Sequence, residues 1–485
     1  HGGTRPMRAT DLVMRCIPFF PFVLLVVSAH GQSGWTLEQC VQRAEERNLS
    51  LRGAILNADL ADKARDQSLW NYLPDLNGAA THGYNYGRVI DRFTNTFATD
   101  QVRTNNFYLS SDLMLFNGLR KHNERRQAGL SADAAMQGTE AARNIVRTQV
   151  VQQFLEVLSI EERVRATEAQ LASTRQQVDR MQALVDAGRS ARAEVMTLIS
   201  QQAQQDYTLV DLRNQRERAL LRLAQSLQLA PEEVPTFALS APALGALGVV
   251  EPASDVESVL TNVLAQDPAY KQSELVALSA ERGVAIARSG SVPSLMFNAS
   301  AGTGYSGRNL ETVGEPVELD PTPIGYTLNG DIVYTPSFDY DTQVRPFGKQ
   351  LDDNLNESLG FTLNVPIFNN MRNRLAVDQA RVQHEQAKLD VAAMKDTRRR
   401  DVQDAILTQR GAFNQYRAAQ RAVDAAEENL RYAEARFEQG AANSLELNTA
   451  KNDLQRVMAD RITAKYTYVM AAKLLDILQG LPLTL

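Results

Sequence analysis

Residues 359–370 read Leu359-Gly360-Phe361-Thr362-Leu363-Asn364-Val365-Pro366-Ile367-Phe368-Asn369-Asn370. Apolar side chains at 359, 361, 363, 365 and 367 alternate with Gly360, Thr362 and Asn364, so an extended chain here has one apolar and one polar face. The last four residues have a counterpart 252 positions earlier, Leu115-Phe116-Asn117-Gly118. A second alternating stretch leads into that counterpart, with Phe107, Leu109, Leu113 and Leu115 set against Tyr108, Ser110, Asp112 and Met114. A third sets Leu295, Phe297, Ala299 and Ala301 against Met296, Asn298, Ser300 and Gly302. The fourth, Leu76 to Tyr86, is weaker, with Tyr84 and Tyr86 near its end. Strands of about ten residues with one apolar face fit a membrane-spanning β-barrel. Lipid offers no partner to an open sheet edge, so such a sheet must close. The smallest single-chain barrels have about eight strands, so four require more than one chain. Two chains give a filled barrel of about eight strands, and three give about twelve and room for a passage. The same periodicity also suits a soluble antiparallel sheet packed on helices.

Outward from these strands the chain repeats itself. Gly188 meets Gly440, Glu194 meets Glu446, and Leu223–Leu227 meets Leu475–Gln479, all at the offset of 252. Upstream, Pro74 meets Pro293 at an offset of 219, so the 33 extra residues of the second copy fall between about Tyr305 and Glu357, where a surface loop tolerates them. The expected division is residues 1–31 as a leader, 32–245 as the first copy and 246–485 as the second, joined by the stretch holding Pro231, Pro235, Pro242 and Pro252. Of 17 prolines, none lies between Pro74 and Pro231 or between Pro366 and Pro482, which leaves two long stretches free to be helix. Val150, Val157, Val164, Leu171, Val178 and Val185 fall every seven residues, matched by Val402, Gln409, Tyr416, Val423, Leu430 and Phe437. That period makes helices wind on their neighbours with a left-handed twist. A helix from Leu119 to Ala187 is on the order of 100 Å long at ~1.5 Å per residue. Gly188 and Gly440 end these runs and mark the tips of helical hairpins, with Ser190 and Ser444 expected to help restart the chain. The returning helices extend to about Gln228 and Gln479, and each copy opens with one helix, Leu37–Leu69 and Val256–Ala287.

Composition agrees. Of 485 residues, 44% are hydrophobic and 22% charged, which argues against disorder and against a bundle of membrane helices. The net charge of −6 speaks against a nucleic-acid binder. Arg8 and Arg15, the apolar run from Cys16 to Val27, and the small residues Ser28, Ala29 and Gly31 read as a secretory signal. Its removal leaves Cys40 as the lone cysteine, a packed thiol near the start of the first helix. Gly302-Thr303-Gly304-Tyr305-Ser306-Gly307 matches a dinucleotide fingerprint, yet no helix is expected after it to hold a pyrophosphate. Arg398-Arg399-Arg400 reads as a solvated helix face. Asp352, Asp353, Asn354 and Glu357 lack the spacing of a calcium loop, and His82, His122 and His384 fall in different elements. The loop at about 87–105 is polar, with Arg88, Asp91, Arg92, Thr94 and Asn95, and the one at about 305–357 is acidic. Long polar loops belong on the outer face of a barrel, which puts the helices on the periplasmic side.

The leader, the duplicated helix–strand–strand–helix–tip–helix unit and the tip sequences Gly188…Glu194-Val195 and Gly440…Glu446-Leu447 together resemble the TolC-type outer-membrane efflux channels. The resemblance covers essentially all of Gly34 to Gly480. Asn85-Tyr86-Gly87-Arg88-Val89-Ile90-Asp91 and the strand ends Leu115–Gly118 and Pro366–Asn369 look most like the Bacteroidetes branch. This resemblance implies a mainly α protein with transmembrane β. It would be a homotrimer with a twelve-stranded barrel in the outer membrane and a long coiled-coil α-barrel in the periplasm. It further implies a passive exit duct for efflux or type I secretion, with no enzymatic step and no cofactor. A periplasmic adaptor (membrane fusion) protein grips the tips, and an inner-membrane RND or ABC pump supplies the energy. The tip positions so implied are Gly188, Arg192, Glu194, Gly440, Ser444 and Glu446, and the aperture positions Glu446 and Phe437. Thr449 stands where a second acid is common in the family. Phe437 and Ala442 stand where the family's closing links use an aromatic and an Arg, with Arg189 and Arg192 as candidate substitutes. Three Glu446 carboxylates around one axis would attract cations. The competing class is a periplasmic coiled-coil adaptor or scaffold, extractable without detergent.

Overall fold

The computed structural model describes residues 34–90, 95, 97–98, 101–240 and 255–482. The expected leader, the loop residues Asp91, Arg92 and Thr94, and the joining prolines Pro242 and Pro252 lie outside them. The chain opens with α1 (Leu37–Arg47) and α2 (Leu49–Trp70), followed by β1 (Asn77–Asn85), the short β2 (Val89–Ile90) and β3 (Phe97–Ala98), and β4 (Val102–Phe116). The long hairpin α3 (Arg120–Asp186) and α4 (Arg192–Ser226) comes next. The order then runs again through α5 (Val256–Gln266), α6 (Pro268–Ser289), β5 (Ser294–Ser306), β6 (Leu310–Tyr326), β7 (Ile332–Val344), α7 (Phe347–Asp353) and β8 (Asn356–Asn364), to the hairpin α8 (Arg372–Glu438) and α9 (Ser444–Leu478). Helices α3 and α8 have 67 residues each, and α4 and α9 have 35 each. At ~1.5 Å per residue the longer pair reach about 100 Å.

Two of the expected helices are broken. The stretches read as single helices, Leu37–Leu69 and Val256–Ala287, divide at Asn48 and Asp267, which lie 219 positions apart. Both residues are extended, with φ, ψ of −60°, 125° and −62°, 118°, and each closes one helix while capping the next. The Asn48 side chain accepts from the N–H groups of Ser50 and Leu51, and Asp267 accepts from that of Tyr270 at 2.7 Å. Satisfying these otherwise orphaned donors, together with Pro268 having no N–H, favours the break over a continuous helix. Asp267 also takes Arg398 at 2.9 Å. The basic run is therefore corrected: Arg398 turns inward to Asp267 and Asp401, and is no part of a solvated face.

The seven-residue seam is the core of the helical part. Val150, Val157, Val164 and Leu171 are buried against Leu37, Cys40 and Leu51 of the opening helices, Leu212 and Leu223 of α4, and Ile462, Tyr466 and Val469 of α9. Polar links fasten the same helices: Glu45 holds Arg143 and Arg147, and Glu162 accepts from Lys465 and from the Tyr466 hydroxyl at 2.9 Å.

At the other end, β1, β4, β5 and β8 form one antiparallel sheet in that order. Its register sets Leu109 beside Ala301, Phe297 beside Phe361 and Leu295 beside Leu363. The alternation read over 359–367 stops at Asn364, because Pro366 offers no N–H to a ladder. The loop at 305–357 is corrected more substantially. It contains the β6–β7 hairpin, 17 and 13 residues long, closed at Asn329-Gly330 with Gly330 at φ 91°. Pro316, Pro321, Pro323 and Pro336 and three register shifts interrupt its period.

Helix α7 then folds back over β5, whose partner β8 reaches only to Gly302. The buried Gln350 side chain accepts from the Ser306 N–H at 2.9 Å and donates to Ser306 O at 3.1 Å, as a strand would. Asn354 donates to Gly304 O, and Phe347 packs on Tyr305. The open edge of β5 is thus sealed by its own chain.

Each long hairpin is entered through two consecutive left-handed residues, Gly118-Leu119 (φ 65° and 63°) and Asn370-Met371 (φ 54° and 62°). At Gly118 an added Cβ would lie 2.8 Å from Cβ of Val292 and 3.2 Å from the Ser289 carbonyl. Gly118→Ala is expected to cost about 1–3 kcal/mol through strain and overlap. Gly83→Ala, where a Cβ meets nothing within 4 Å, should stay within about 0.5 kcal/mol. Thermal unfolding in detergent distinguishes them, and equal melting of the two variants would show that the joint is not under steric control.

Candidate functional site

The two tips are built alike. Gly188 (φ 70°) donates its N–H to Val185 O at 2.9 Å while Arg189 donates to Leu184 O at 2.8 Å. Gly440 (φ 71°) donates to Phe437 O at 3.0 Å and Ala441 to Arg436 O at 2.8 Å. This paired closure satisfies the last carbonyls of α3 and α8 and needs a left-handed residue, which glycine adopts without a Cβ penalty.

The restart of the chain differs from the expectation. Asn443 caps α9 by accepting from the Glu446 N–H at 2.9 Å, and Ser444 is already the first helical residue, one position too late to cap. Ala191 precedes α4 without a side-chain cap. Ser190 instead donates to Glu194 Oε2 at 2.7 Å. The equivalent glutamates therefore have unlike partners. Glu194 meets a neutral hydroxyl, whereas Glu446 forms an ion pair with Arg436, which also donates to Ala441 O at 3.2 Å. The sequence reading missed Arg436. Its signal is a basic residue in the last turn of α8, ten positions before Glu446 across a glycine turn, where copy one has Leu184.

Phe437 packs as expected of an aromatic without a hydroxyl. It rests on Met181, Val195 and Leu198, an apolar knot that ties the two hairpins together. Beside it a cavity of about 880 Å³ opens between the hairpins, with Arg180, Arg189, Glu194, Phe437, Glu438 and Lys451 on its walls. Arg192 stands exposed at the start of α4. Lys451, absent from the sequence reading, is 6% exposed with Glu434 at 3.9 Å. Burial holds its ammonium below the usual lysine range, and nearby Arg180 pushes the same way.

No metal or nucleotide chemistry emerges among the described residues. Asp353 is taken by Arg345 and Asn354 by a backbone carbonyl, and no three His, Cys, Asp or Glu side chains there are grouped to hold an ion. After the glycine-rich run at 302–307 comes β6, with no helix to receive a pyrophosphate. His82 bonds Asn105 at 2.6 Å in the sheet, and His384 lies by Ala277 O in the helices.

The sheet has the two faces of a lipid barrier. Phe107, Leu109, Phe297, Leu359, Phe361 and Leu363 share one face; Ser110, Asp112, Asn298, Ser300 and Thr362 share the other. Leu359, Phe361 and Leu363 are 76%, 69% and 64% exposed, more apolar surface than water tolerates in one patch. No described helix is long and apolar enough to cross a membrane. The sequence model of outer membrane efflux proteins matches residues 40–228 and 259–480. The chain belongs to the outer membrane efflux protein family.

Solved structures carry the same fold. The Vibrio cholerae outer membrane protein VceC superposes with a TM-score of 0.68 at 16% identity, covering 92% of this chain and 96% of its own. The Campylobacter jejuni CmeC outer membrane channel gives 0.71 at 15% identity, covering 92% and 85%. The open state of the Neisseria gonorrhoeae MtrE outer membrane channel gives 0.69 at 19% identity, covering 92% and 89%. No curated protein sequence matched the chain. As an outer membrane efflux protein, the chain contributes four strands to the twelve-stranded barrel of a trimer, turns its apolar face to lipid, and sends its helices into the periplasm as a tunnel. The scaffold reading is set aside.

Among the described residues Cys40 is a free, buried thiol. It is fully buried, and burial, aided by Glu38, pushes its thiol up to about 12. At pH 8 roughly 10⁻⁴ of it is thiolate, the reactive form. Maleimide should label the folded efflux protein at least about a hundredfold more slowly than the denatured chain; equal rates would show that the α1–α3 packing opens readily. Because the unfolded thiol ionises near ~8.5 and the folded one stays protonated, Cys40 also subtracts stability as pH rises from about 9 toward 12.

Proposed function

We propose that this outer membrane efflux protein is the exit duct of a tripartite efflux or type I secretion system, a conduit without a chemical step of its own. A periplasmic adaptor would open it by gripping the tips, and an inner-membrane RND or ABC pump would drive cargo through. The carrying observation is the joining, within one chain, of a sheet with an exposed apolar face to hairpins about 100 Å long. Gly188, Arg192 and Glu194 at one tip and Gly440, Ser444 and Glu446 at the other are the proposed adaptor contacts. The two closures share one backbone geometry, so one adaptor fold can meet both tips. Glu446 and Phe437 are the proposed aperture, with Phe437 supplying packing and Glu446 a charge that Arg436 partly offsets.

The test is single-channel recording of the detergent-extracted protein in a planar bilayer, after its oligomer mass is measured. A trimer giving small, cation-favouring steps is expected, and a monomer or dimer that never inserts would overturn the duct. Glu446→Gln should reduce cation preference, and an unchanged preference would remove Glu446 from the aperture. In cells, Arg192→Glu with Glu194→Lys should lower export roughly three- to tenfold at unchanged outer-membrane level, as expected for rim charges of a contact. Full export would place the adaptor elsewhere.

A further inference from the structure

The apolar face of the sheet carries a single arginine near its outer rim. In the strands β1, β4, β5 and β8 the only Lys or Arg is Arg103 of β4. Cross-strand register puts it on the lipid side. Arg103 stands beside Tyr84, Asn105 beside His82 and Tyr305, Phe107 beside Ala80 and Thr303, and Leu109 beside Ala301. Between Arg103 and Leu109 the ladder has no register shift, so alternate residues leave one face and Arg103 shares that of Phe107 and Leu109.

Aromatic rings surround it. The guanidinium lies over the Tyr305 ring, 5.4 Å from its centroid. Phe347 of α7 packs on Tyr305 at 5.4 Å and on Phe107 at 6.4 Å, and His82 meets Tyr84 edge-on at 5.3 Å. Stacking uses the flat side of a guanidinium and leaves the N–H donors at its edge. Arg103 is exposed, and among the described residues no carboxylate pairs with it and no acceptor takes its side-chain donors. Of the acids flanking α7, Glu311 is held by Lys349 at 3.0 Å and Asp353 by Arg345. An arginine halfway down a lipid-facing strand is strongly disfavoured, whereas near the interface it is tolerated. From Leu295 to Tyr305 the strand β5 advances about 34 Å, or ~26 Å along the membrane normal at a tilt of about 40°. The apolar band of such barrels is about 25 Å tall and ends in a girdle of aromatic residues. Tyr305 therefore stands in the outer girdle, and Arg103 and Tyr84, beyond the Asn105–Tyr305 pair, stand at the level of the headgroups.

We propose that Arg103 binds the phosphate of an outer-leaflet glycolipid, one lipid on each chain of the trimer. The site rests on the barrel and is independent of what the duct exports. A phosphate monoester suits it for two reasons. It carries close to two negative charges at neutral pH, which an arginine without an acid partner can offset. Its three free oxygens also match the planar guanidinium fork, whereas the diester of a phospholipid offers one charge and fewer oxygens. The exposed Tyr84 adds a hydroxyl at the same level. The acyl chains of the bound lipid then run down the face formed by Phe107, Leu109 and Ala301. Stacking on Tyr305 holds the guanidinium ready before the lipid arrives, so little is lost in ordering a long side chain.

The experiment is native mass spectrometry of the trimer, released from detergent after incubation with lipid A that carries one phosphate monoester. One retained lipid per chain is expected, with at least about fivefold greater retention than of the same glycolipid stripped of its phosphate. Arg103→Gln should remove most of that preference at an unchanged trimer mass. Equal retention of the two glycolipids by the wild-type protein would overturn the site, and this comparison needs no variant to fold. A preference undiminished in Arg103→Gln would overturn it as well. Phosphatidylglycerol retained as strongly as the phosphorylated glycolipid would overturn the assignment to the outer leaflet. A wild-type protein that yields no trimer would overturn the barrel, and the site with it.

Discussion

Hydrocarbon cannot accept or donate a hydrogen bond, and most of this molecule follows from that. Four strands with an apolar face have two free edges, β1 and β8, and neither edge is tolerated in lipid. Each must meet the opposite edge of another copy, so the barrel exists only as an assembly. The helices inherit the consequence. Once three chains are fixed around one axis, six hairpins run side by side, and a seven-residue period lets helices about 100 Å long stay in contact along their length.

Duplication then does two jobs. It gives each chain two copies of the same joint, a pair of left-handed residues leading from the sheet into the long helix, and two copies of the same glycine closure at the tip. It also lets the copies diverge where symmetry is not needed. Glu194 and Glu446 occupy equivalent places, yet a hydroxyl holds one and a guanidinium the other. Matching places in the two tips therefore carry unlike side-chain partners on one shared backbone turn.

Much of this was legible in the sequence because it is written as periods. Leu359–Leu363 gave its face directly, the valine seam gave the coil, and the paired glycines gave the tips. What stayed hidden lacks a period or depends on distant contact. The β6–β7 hairpin is interrupted by four prolines, so its alternation breaks, although Asn329-Gly330 is a recognisable hairpin turn. The breaks at Asn48 and Asp267 are capping events, visible in hindsight in Asp267-Pro268 and less so in Asn48. Arg436 meets Glu446 only because a glycine turn folds the chain back. Lys451 is buried only because two hairpins converge.

The way α7 seals β5 bears on how the exposed part of the protein can change. Gln350 and Asn354 complete the hydrogen bonding of the strand's outer end from within the same chain. The wall of the barrel is therefore finished below the β6–β7 hairpin. Everything from Leu310 to Val344 becomes an appendage whose length and composition are decoupled from closure. Such a segment can lengthen, shorten or exchange residues while the pore beneath it stays unaltered.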